Sequence, residues 1–358
     1  MDVLDFGGKM KINKKLVFSI FFFVVMLIAT IYILFKDNEL DSVINIIKCV
    51  NVKYLLICAL LIVLYLLFEG LYLLITFKSL KQKTSLSKCF AYSCIEYYFS
   101  AITPSSTGGQ PFQSYYMAKD SIPVTKSTIA LILNTYTFKI VLLVLGIFCI
   151  ASRPAVALNN GTLFNIFLVF GFVINLLIII GCFLIMKSKR KVKKFVIWLV
   201  NILGKLHLKK DPDSTIKKMD EYMEDYKKGV SYLKKHPALT FKVLGLTLMQ
   251  RLCMFSIGYV VYLAFGLSGF SYLDFLTIQV VIAIAIDSLP FPGGMGITEV
   301  MMLKIYLPVY GENMLTASVL LTRVFSYYFC LILSGIVVLI NHLRVTIFTK
   351  KNKKEEIV

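Results

Sequence analysis

The sequence predicts an all-α, polytopic integral membrane protein with about six full spans and two re-entrant, broken-helix hairpins. Of its 358 residues, 58% are hydrophobic, and the mean hydropathy of +0.77 excludes an ordinary soluble domain. Several apolar runs exceed the ~18 residues that mark a membrane-spanning helix. Two further apolar segments are interrupted by prolines and paired glycines. Together these observations predict a single transmembrane domain over residues 1–358.

Six apolar runs have the length of a full span. The first follows a cluster of lysines near the N-terminus. It lacks the short core and small-residue cleavage site of a signal peptide, so we interpret it as a signal anchor with a cytoplasmic N-terminus. The expected spans cover about 16–35, 54–77, 127–150, 163–186, 240–265 and 314–340.

Two other apolar segments are short and end in turn-forming sequence. The first, 89–102, would cover only about 21 Å as a helix, less than the ~30 Å hydrocarbon core. It ends in the break 102–111, and the segment 272–289 ends in the break 289–299. Proline removes a backbone donor and glycine disfavours helix, so the helices should stop there. Broken backbone survives in a bilayer only where protein or a watery cavity covers it, and paired breaks indicate a transporter-like binding site.

Basic residues predict the sidedness of the chain. They gather near the N-terminus, at 78–88, at 187–238 and in the tail after Arg344, and such loops stay in the cytoplasm. With all of these loops inside, the first hairpin enters from the cytoplasm and the second from outside. That arrangement is consistent with an inverted repeat. If one or both hairpins crossed fully, the chain would have eight or ten spans with the same sidedness.

The net charge of +19 indicates loops that face anionic lipid rather than nucleic acid, because the charges flank the spans. Region 187–238 holds fifteen Lys and Arg against six Asp and Glu. Within it, 195–203 predicts an interfacial helix with Trp198 near the head groups. A scaffold that recruits partners through this loop is one hypothesis, although positive-inside topology alone explains the charge.

Ionisable side chains inside apolar segments are costly and are candidate functional residues by default. They are Glu69, Glu96, Lys139, Arg251, Asp287, Glu299, Lys304 and Arg323. Arg251 and Arg323 lie in spans that flank the second break, and guanidinium groups hold a phosphate through paired hydrogen bonds. Alternatively, they pair with Asp287 and Glu299 and only hold helices together. Glu96 and Lys304 are weaker candidates because a position near an interface would let them snorkel.

The breaks also offer polar groups to an anionic head group. Paired glycines present backbone N–H groups, and half-helix N-termini add a favourable dipole. The candidate head-group site consists of Thr103, Ser105, Gly108, Gly109, Gln110, Arg251, Asp287, Gly293, Gly294, Glu299 and Arg323. For the first break, a solvated loop outside the membrane is the alternative. Neither break matches a P-loop or dinucleotide fingerprint, and we expect no metal, no cofactor and no catalytic residue.

The two breaks, with Arg323 in the final span, resemble the lysylphosphatidylglycerol synthase transmembrane family. That family is also described as flippase-like and includes the membrane half of multiple peptide resistance factor. The motifs are TPSSTGGQ at 103–110 and LPFPGGMGITE at 289–299. The resemblance covers nearly the whole chain, and the second motif is the more specific. Family members often carry an acidic and then a basic residue after the first glycine pair, where this chain has Gln110 and Gln113.

The resemblance implies a membrane lipid translocase of the bacterial inner membrane, and the basic N-terminus and tail predict that both termini are cytoplasmic. Its expected substrate is an anionic or aminoacylated phospholipid such as lysylphosphatidylglycerol. In full-length members, a C-terminal domain transfers lysine from lysyl-tRNA to phosphatidylglycerol. This chain ends about eighteen residues after its last span, so we expect that synthetase domain to be absent.

The alternative function is that of a phosphatidylglycerol lysyltransferase, or a subunit of one, which would provide resistance to cationic antimicrobial peptides. The expected partners are phospholipid, the membrane and, under this alternative, a separate synthetase subunit, with no nucleic acid bound by this chain. Under the translocase hypothesis, the hairpins meet near the midplane and line a polar groove while the acyl chains stay in lipid. We expect Arg323→Ala to abolish head-group transfer and to leave membrane insertion intact.

Overall fold

The computed structural model describes residues 28, 40–187, 231, 237–287, 289 and 291–355. Every regular element within these residues is helical, which confirms the predicted all-α class. The predicted first span at 16–35 and the interfacial helix at 195–203 lie outside the described residues, as does most of the basic region 187–238.

The described helices follow one another through short connections. They are α1 (Leu40–Lys48), α2 (Val52–Ser79), α3 (Leu86–Ile102), α4 (Gly109–Lys119), α5 (Val124–Ser152), α6 (Pro154–Leu158), α7 (Thr162–Lys187), α8 (Pro237–Ala264), α9 (Tyr272–Ile286), α10 (Ile297–Arg323) and α11 (Cys330–Glu355). Short 3₁₀ turns at Pro104–Ser106 and Pro292–Gly294 occupy the two predicted breaks. A π-helical segment, Val324–Phe329, joins α10 to α11.

Five helical segments of the described chain are long and apolar enough to cross a membrane. They are Val52–Ser79, Val124–Ser152, Thr162–Leu184, Pro237–Ala264 and Pro292–Arg344. These segments confirm a polytopic membrane protein and cover the predicted spans after the first. Within the last segment, Gly311 has a non-helical conformation, with φ 65° and ψ 171°. The chain reverses there, because Glu299 and Arg323 contact each other although a continuous helix would hold them about 36 Å apart. The predicted start of the last span near residue 314 lies close to this reversal.

The helices that enter the two breaks are shorter than a full span. Helix α3 has 17 residues and α9 has 15, against the ~20 that a bilayer requires. Ser85 caps the start of α3 by accepting a hydrogen bond from the Lys88 amide, and Ser271 with Asp274 forms a capping box at the start of α9. A proline at the first position of each following 3₁₀ turn then prevents helical continuation.

Helices α2 and α8 pack side by side in antiparallel orientation. The amide of Asn51, before α2, donates to the carbonyl of Ala264 at the end of α8 (3.1 Å). The first hairpin, α3 and α4, opens at the other end of α2. At that end, Asp120 after α4 accepts hydrogen bonds from Lys88 of α3 and Arg344 of α11.

The second hairpin, formed by α9 and the first part of α10, opens at the opposite end of the bundle. Helix α5 begins beside the end of α2, where the Lys126 ammonium donates to the Lys81 carbonyl (3.4 Å). At the far end of α5, Arg153 forms an ion pair with Asp274 at the start of α9 (3.0 Å). The two hairpins therefore point toward each other from opposite ends, and their turns meet in the interior.

The outer surface of α7 is strongly apolar. Its exposed side chains include Leu163, Ile166, Val169, Phe170, Val173, Leu176, Leu177 and Ile180. An exposed aliphatic surface of this length suits acyl chains rather than water. The polar groups described below lie inside this apolar shell.

Candidate functional site

The second break depends on glycine conformations that other residues rarely adopt. Gly293, Gly294 and Gly296 have φ values of 54°, 66° and 80°. A Cβ on Gly293 would also lie 2.1 Å from the ring of Tyr327. The break can therefore pack against Tyr327 only because its first glycine has no side chain.

A buried ion pair fixes the second break. The Glu299 carboxylate accepts a hydrogen bond from the Gly296 amide (2.7 Å) and another from Arg323 Nε (2.5 Å). Arg323 Nη2 also donates to the Gly293 carbonyl (3.3 Å), and its guanidinium lies over the Tyr327 ring. Glu299 is fully buried and Arg323 is 6% exposed. Glu299 therefore positions Arg323. This is the arginine–carboxylate pairing that the sequence analysis gave as the alternative to phosphate binding.

Neutral hydrogen bonds stabilise the first break. Thr103 Oγ1 donates to the Phe99 carbonyl (2.6 Å) and accepts from the Gly108 amide (2.9 Å). Gly109 packs so closely that an added Cβ would lie 2.1 Å from Ser100 Oγ. The Gly108 amide, a candidate anion donor, thus has a partner within the turn.

The two breaks contact each other directly. The Tyr327 hydroxyl, at the π-helical segment, donates to the Ala101 carbonyl near the end of α3 (2.9 Å). The Tyr97 hydroxyl of α3 donates back to the Ser326 carbonyl (3.0 Å). Met295 packs with Ala101 and Tyr327 in the same small apolar cluster.

A cavity of about 550 Å³ lies where the breaks meet. Helices from both halves of the chain supply its charged lining residues, Glu69, Glu96, Lys139, Arg251, Asp287 and Arg323, and its polar residues include Ser100, Ser106, Gln110, Asn134 and Thr135. Such a volume falls within the range of sites that hold small organic ligands. The structure thus brings intramembrane charges from distant parts of the chain to one place.

The predicted site residues divide between the cavity and its support. Those that line the cavity are Gln110, Arg251, Asp287, Gly293 and Arg323. Thr103, Gly108, Gly109 and Glu299 shape the turns behind it, and Gly294 accepts a hydrogen bond from Thr298 Oγ1 through its carbonyl. The side chain of Ser105 lies outside the described part of the structure.

Gln110 and Asp287 have partners on α5. Gln110 Nε2 donates to Thr135 Oγ1 (2.6 Å). Asp287 forms an ion pair with Lys139, a residue that is 8% exposed. The carboxylate of Asp287 is therefore matched by a lysine rather than by either arginine of the site.

Of the three basic residues that line the cavity, Arg251 has the weakest set of partners. Its guanidinium lies between the rings of Phe138 (4.0 Å) and Tyr65 (5.2 Å). Nη2 makes only long contacts to the Tyr65 hydroxyl (3.5 Å) and to Gln250 Oε1 (3.4 Å). Nε is buried without a hydrogen-bond partner, and no described carboxylate lies within ion-pair distance. An unpaired buried donor is unusual, and an arginine that lines a cavity without a carboxylate partner is suited to an incoming anion.

Sequence reasoning left Glu69, Glu96 and Lys139 out of the site, although it identified all three as ionisable residues in apolar segments. The side chains of α2, α3 and α5 meet the breaks only through tertiary packing. Glu96 and Ser100 are four residues apart on α3, and the Ser100 hydroxyl donates a hydrogen bond to the Glu96 carboxylate (2.9 Å). This spacing is a signal in the sequence that a polar face of the helix continues toward the first break.

Asp120 is the charged centre of the basic end of the bundle. Burial alone would raise the pKa of its carboxyl. Hydrogen bonds from Tyr92 (2.6 Å) and Lys88 (3.0 Å), with the charge of Arg344, outweigh burial and lower that pKa below 3.8. The first hairpin is thereby tied to α11 outside the spanning segments.

Comparison with known proteins agrees with these features. The family model described as the lysylphosphatidylglycerol synthase transmembrane region matches residues 15–334, which include both breaks and the cavity residues. No curated protein matches the chain. The chain therefore belongs to the lysylphosphatidylglycerol synthase transmembrane family.

Proposed function

We propose that this protein is a membrane lipid translocase that moves an anionic or aminoacylated phospholipid, such as lysylphosphatidylglycerol, between leaflets. The observation that carries the proposal is the cavity between the two breaks, which Arg251 lines without a carboxylate partner in the described chain. Intramembrane polar cavities between two discontinuous helices are typical of substrate sites in transporters.

Arg251 is the residue that would bind the lipid phosphate. Its partners are two neutral oxygens at long distances, so a phosphate oxygen would replace weak hydrogen bonds by charge-assisted ones. The rings of Phe138 and Tyr65 pack against the guanidinium and hold it at the cavity wall. Arg323 contributes positive charge from the other wall but keeps its hydrogen bonds to Glu299.

The acyl chains would remain on the lipid side of α7. Ile174 and Ile178 of this helix line the cavity, whereas Val173 and Leu177 are exposed on the outer surface. Neighbouring residues of this one helix thus face the polar cavity and the apolar exterior. A head group in the cavity could keep its chains in hydrocarbon, which avoids the cost of exposing them to water.

The two hairpins provide a basis for alternating access. They enter from opposite ends, and hydrogen bonds of Tyr97 and Tyr327 join α3 of the first hairpin to the π-helical segment that packs against Gly293 of the second break. Rocking one hairpin and its flanking helices against the other would open the cavity to either side in turn. The basic residues near the Asp120 end support the proposal that this end and both termini lie in the cytoplasm of a bacterial cell with the protein in its inner membrane.

Reconstitution with head-group-labelled phosphatidylglycerol and lysylphosphatidylglycerol tests this function. In Arg251→Gln we expect the rate of transfer between leaflets to fall about tenfold or more, because charge-assisted hydrogen bonds to the phosphate are lost. Arg153→Gln, outside the cavity, is the matched control and should transfer lipid at the wild-type rate. Equal rates in the Arg251 variant and the wild type would refute this phosphate site.

Arg251 gives a cleaner test than Arg323. Arg323→Ala would leave Glu299 as an unpaired charge in the protein interior, which destabilises the fold as well as the site. Loss of transfer in that variant is informative only where the purified protein keeps its wild-type unfolding midpoint.

The second candidate function is lysyl transfer, because the matching family is described as a synthase. Purified protein given lysyl-tRNA and phosphatidylglycerol separates the two functions. Formation of lysylphosphatidylglycerol by the chain alone supports a transferase, and formation only after a separate synthetase subunit is added supports a partnership. Transfer of preformed lipid without synthesis supports the translocase.

A further inference from the structure

Two carboxylates at the cavity take no part in the phosphate site proposed above. Glu69 of α2 is 2% exposed and accepts hydrogen bonds from Gln250 Nε2 (2.9 Å) and, more weakly, from the Tyr72 hydroxyl (3.5 Å). Glu96 of α3 accepts one from Ser100 (2.9 Å). Neither has a basic group of the described chain within ion-pair distance.

Counting the charges around the cavity leaves one carboxylate in excess. The Lys139–Asp287 and Arg323–Glu299 pairs balance within themselves. Arg251 then stands opposite both Glu69 and Glu96. Because an uncompensated charge away from bulk water is costly, the two carboxylates form a pair that can take up one proton, and a bound phosphate monoanion would add to the negative charge that favours this uptake.

Gln113 of α4 is a further buried polar group beside Glu69. Its Nε2 donates to the Tyr92 carbonyl (3.2 Å), whereas its Oε1 has no hydrogen-bond partner in the described chain. Glu69 thus lies in a buried polar cluster that offers it neutral partners and no ion pair.

We infer that Glu69, with Glu96 as its partner, is a proton-binding site that couples lipid movement to a transmembrane pH gradient. This inference rests on the proposed translocation of a phosphate-bearing lipid. A proton from one aqueous side forms the O–H bond of the carboxyl group, and that bond breaks when the proton leaves to water on the other side. No other group is oxidised, reduced or transferred.

Arg251 connects the proton to the lipid. In the empty cavity its positive charge favours the ionised carboxylates. A phosphate bound to Arg251 neutralises that charge, so the carboxylates bind protons more tightly while lipid is present. By linkage, a bound proton also strengthens phosphate binding, and the two are carried together.

The remaining groups around the pair do not titrate in its place. Tyr65, Tyr72 and Tyr97 are phenols, and Cys94 and Cys330 on the adjacent helices are thiols, all of which are ordinarily protonated at neutral pH. Lys139 and Asp287 neutralise each other. The unpaired carboxylates are therefore the groups able to exchange protons as the lipid binds.

Proton uptake on lipid binding is the decisive measurement. Purified protein in lightly buffered micelles is mixed with short-chain phosphatidylglycerol and a pH-indicator dye. We expect wild-type protein to take up as much as about one proton per bound lipid on the acidic side of neutrality. Glu69→Gln should bind lipid without this uptake, and Glu96→Gln should shift its pH dependence. Glu312→Gln, at an exposed position, is the matched control and should behave as wild type.

A gradient experiment tests the coupling itself. In proteoliposomes with the membrane potential clamped, one proton per lipid changes the equilibrium leaflet ratio of the labelled lipid about tenfold for each pH unit. Wild-type protein should show this shift. In Glu69→Gln, the leaflet ratio should be the same with the gradient as without it.

Each outcome decides a separate claim. Wild-type transfer that ignores the pH gradient overturns proton coupling and leaves the translocase standing. Equal proton uptake by folded wild-type protein and by Glu69→Gln overturns the assignment to this carboxylate. Wild-type protein that binds no phospholipid overturns the phosphate site and the coupling together. Dependence on a sodium gradient in place of the pH gradient also overturns the proposal.

Discussion

The two breaks have similar sequences but are stabilised by different forces. In the first, the Thr103 hydroxyl bridges the Phe99 carbonyl and the Gly108 amide, and the contacts are neutral. In the second, the Glu299–Arg323 ion pair closes the turn inside the protein. Neutral turns can rearrange at modest cost, whereas separating a buried ion pair costs several kcal/mol. The comparison indicates that the second break is the fixed wall of the cavity and the first is the movable one.

The largest expected effect comes from removing the carboxylate of the second break. Glu299→Gln leaves the Arg323 guanidinium buried without a counter-charge, so the free energy of unfolding should fall by about 3–5 kcal/mol. Denaturant titration in micelles measures the loss. Glu312→Gln, an exposed Glu-to-Gln change, should have no effect, and equal stability of the two variants would contradict a fixed second wall.

Alanine at Gly293 should have the next largest effect. This position has a φ of 54°, which costs a residue with a side chain about 1–3 kcal/mol, and the added Cβ would meet the Tyr327 ring. Gly108→Ala is the matched change in the first break, where φ is −84° and the added Cβ would meet the Thr103 side chain at 2.7 Å instead of an aromatic ring at 2.1 Å. It should lower the unfolding midpoint less, and the opposite ranking would reverse the comparison.

Removing the hydroxyl that closes the first break should have a smaller effect. Thr103→Val leaves the Gly108 amide without its partner, and we expect a loss of about 1–2 kcal/mol in unfolding free energy. Thr107→Val provides the control, since the Thr107 hydroxyl bonds only to the Pro104 carbonyl at an exposed position. A loss as large as that of Glu299→Gln would show that both turns are equally fixed.

The smallest effect concerns pH at the open end of the first hairpin. The pKa of Asp120 is lower in the folded protein than its usual 3.8, so its contacts stabilise the fold above that pH. This contribution is lost as the pH falls through the folded-state pKa. The unfolding midpoint of wild-type protein should therefore decline more on acidification below about pH 4 than that of Asp120→Asn. Parallel curves would mean that the Asp120 contacts add no stability.

Local sequence was sufficient to locate the breaks. Pro104 and Pro292 interrupt apolar sequence, and both lie at the first position of a 3₁₀ turn in the structure. Span positions followed from run length alone. The start of the last span near residue 314 was predicted in the same way, and the non-helical Gly311 lies just before it.

The partners of the charged residues did not follow from the sequence. Lys139 and Asp287 are separated by 148 positions, and Glu69 and Gln250 by 181. Such pairs depend on which faces of α2, α5 and α8 turn toward the breaks, and uniformly apolar helices carry little periodic signal to indicate that. Glu299 and Arg323 were identified as candidates, but only the fold distinguishes a supporting carboxylate from one that meets a ligand.

The π-helical segment Val324–Phe329 has a consequence for the whole final helix. A wide turn of this kind contains one residue more than α-helical geometry requires, and one residue corresponds to a rotation of about 100°. Deleting a single residue there would restore regular winding and rotate everything beyond it. Tyr327 would leave the Ala101 carbonyl, and Arg344 would turn away from Asp120 at the far end of α11. The orientation of the final helix at both of its contacts is thus set by one additional amino acid.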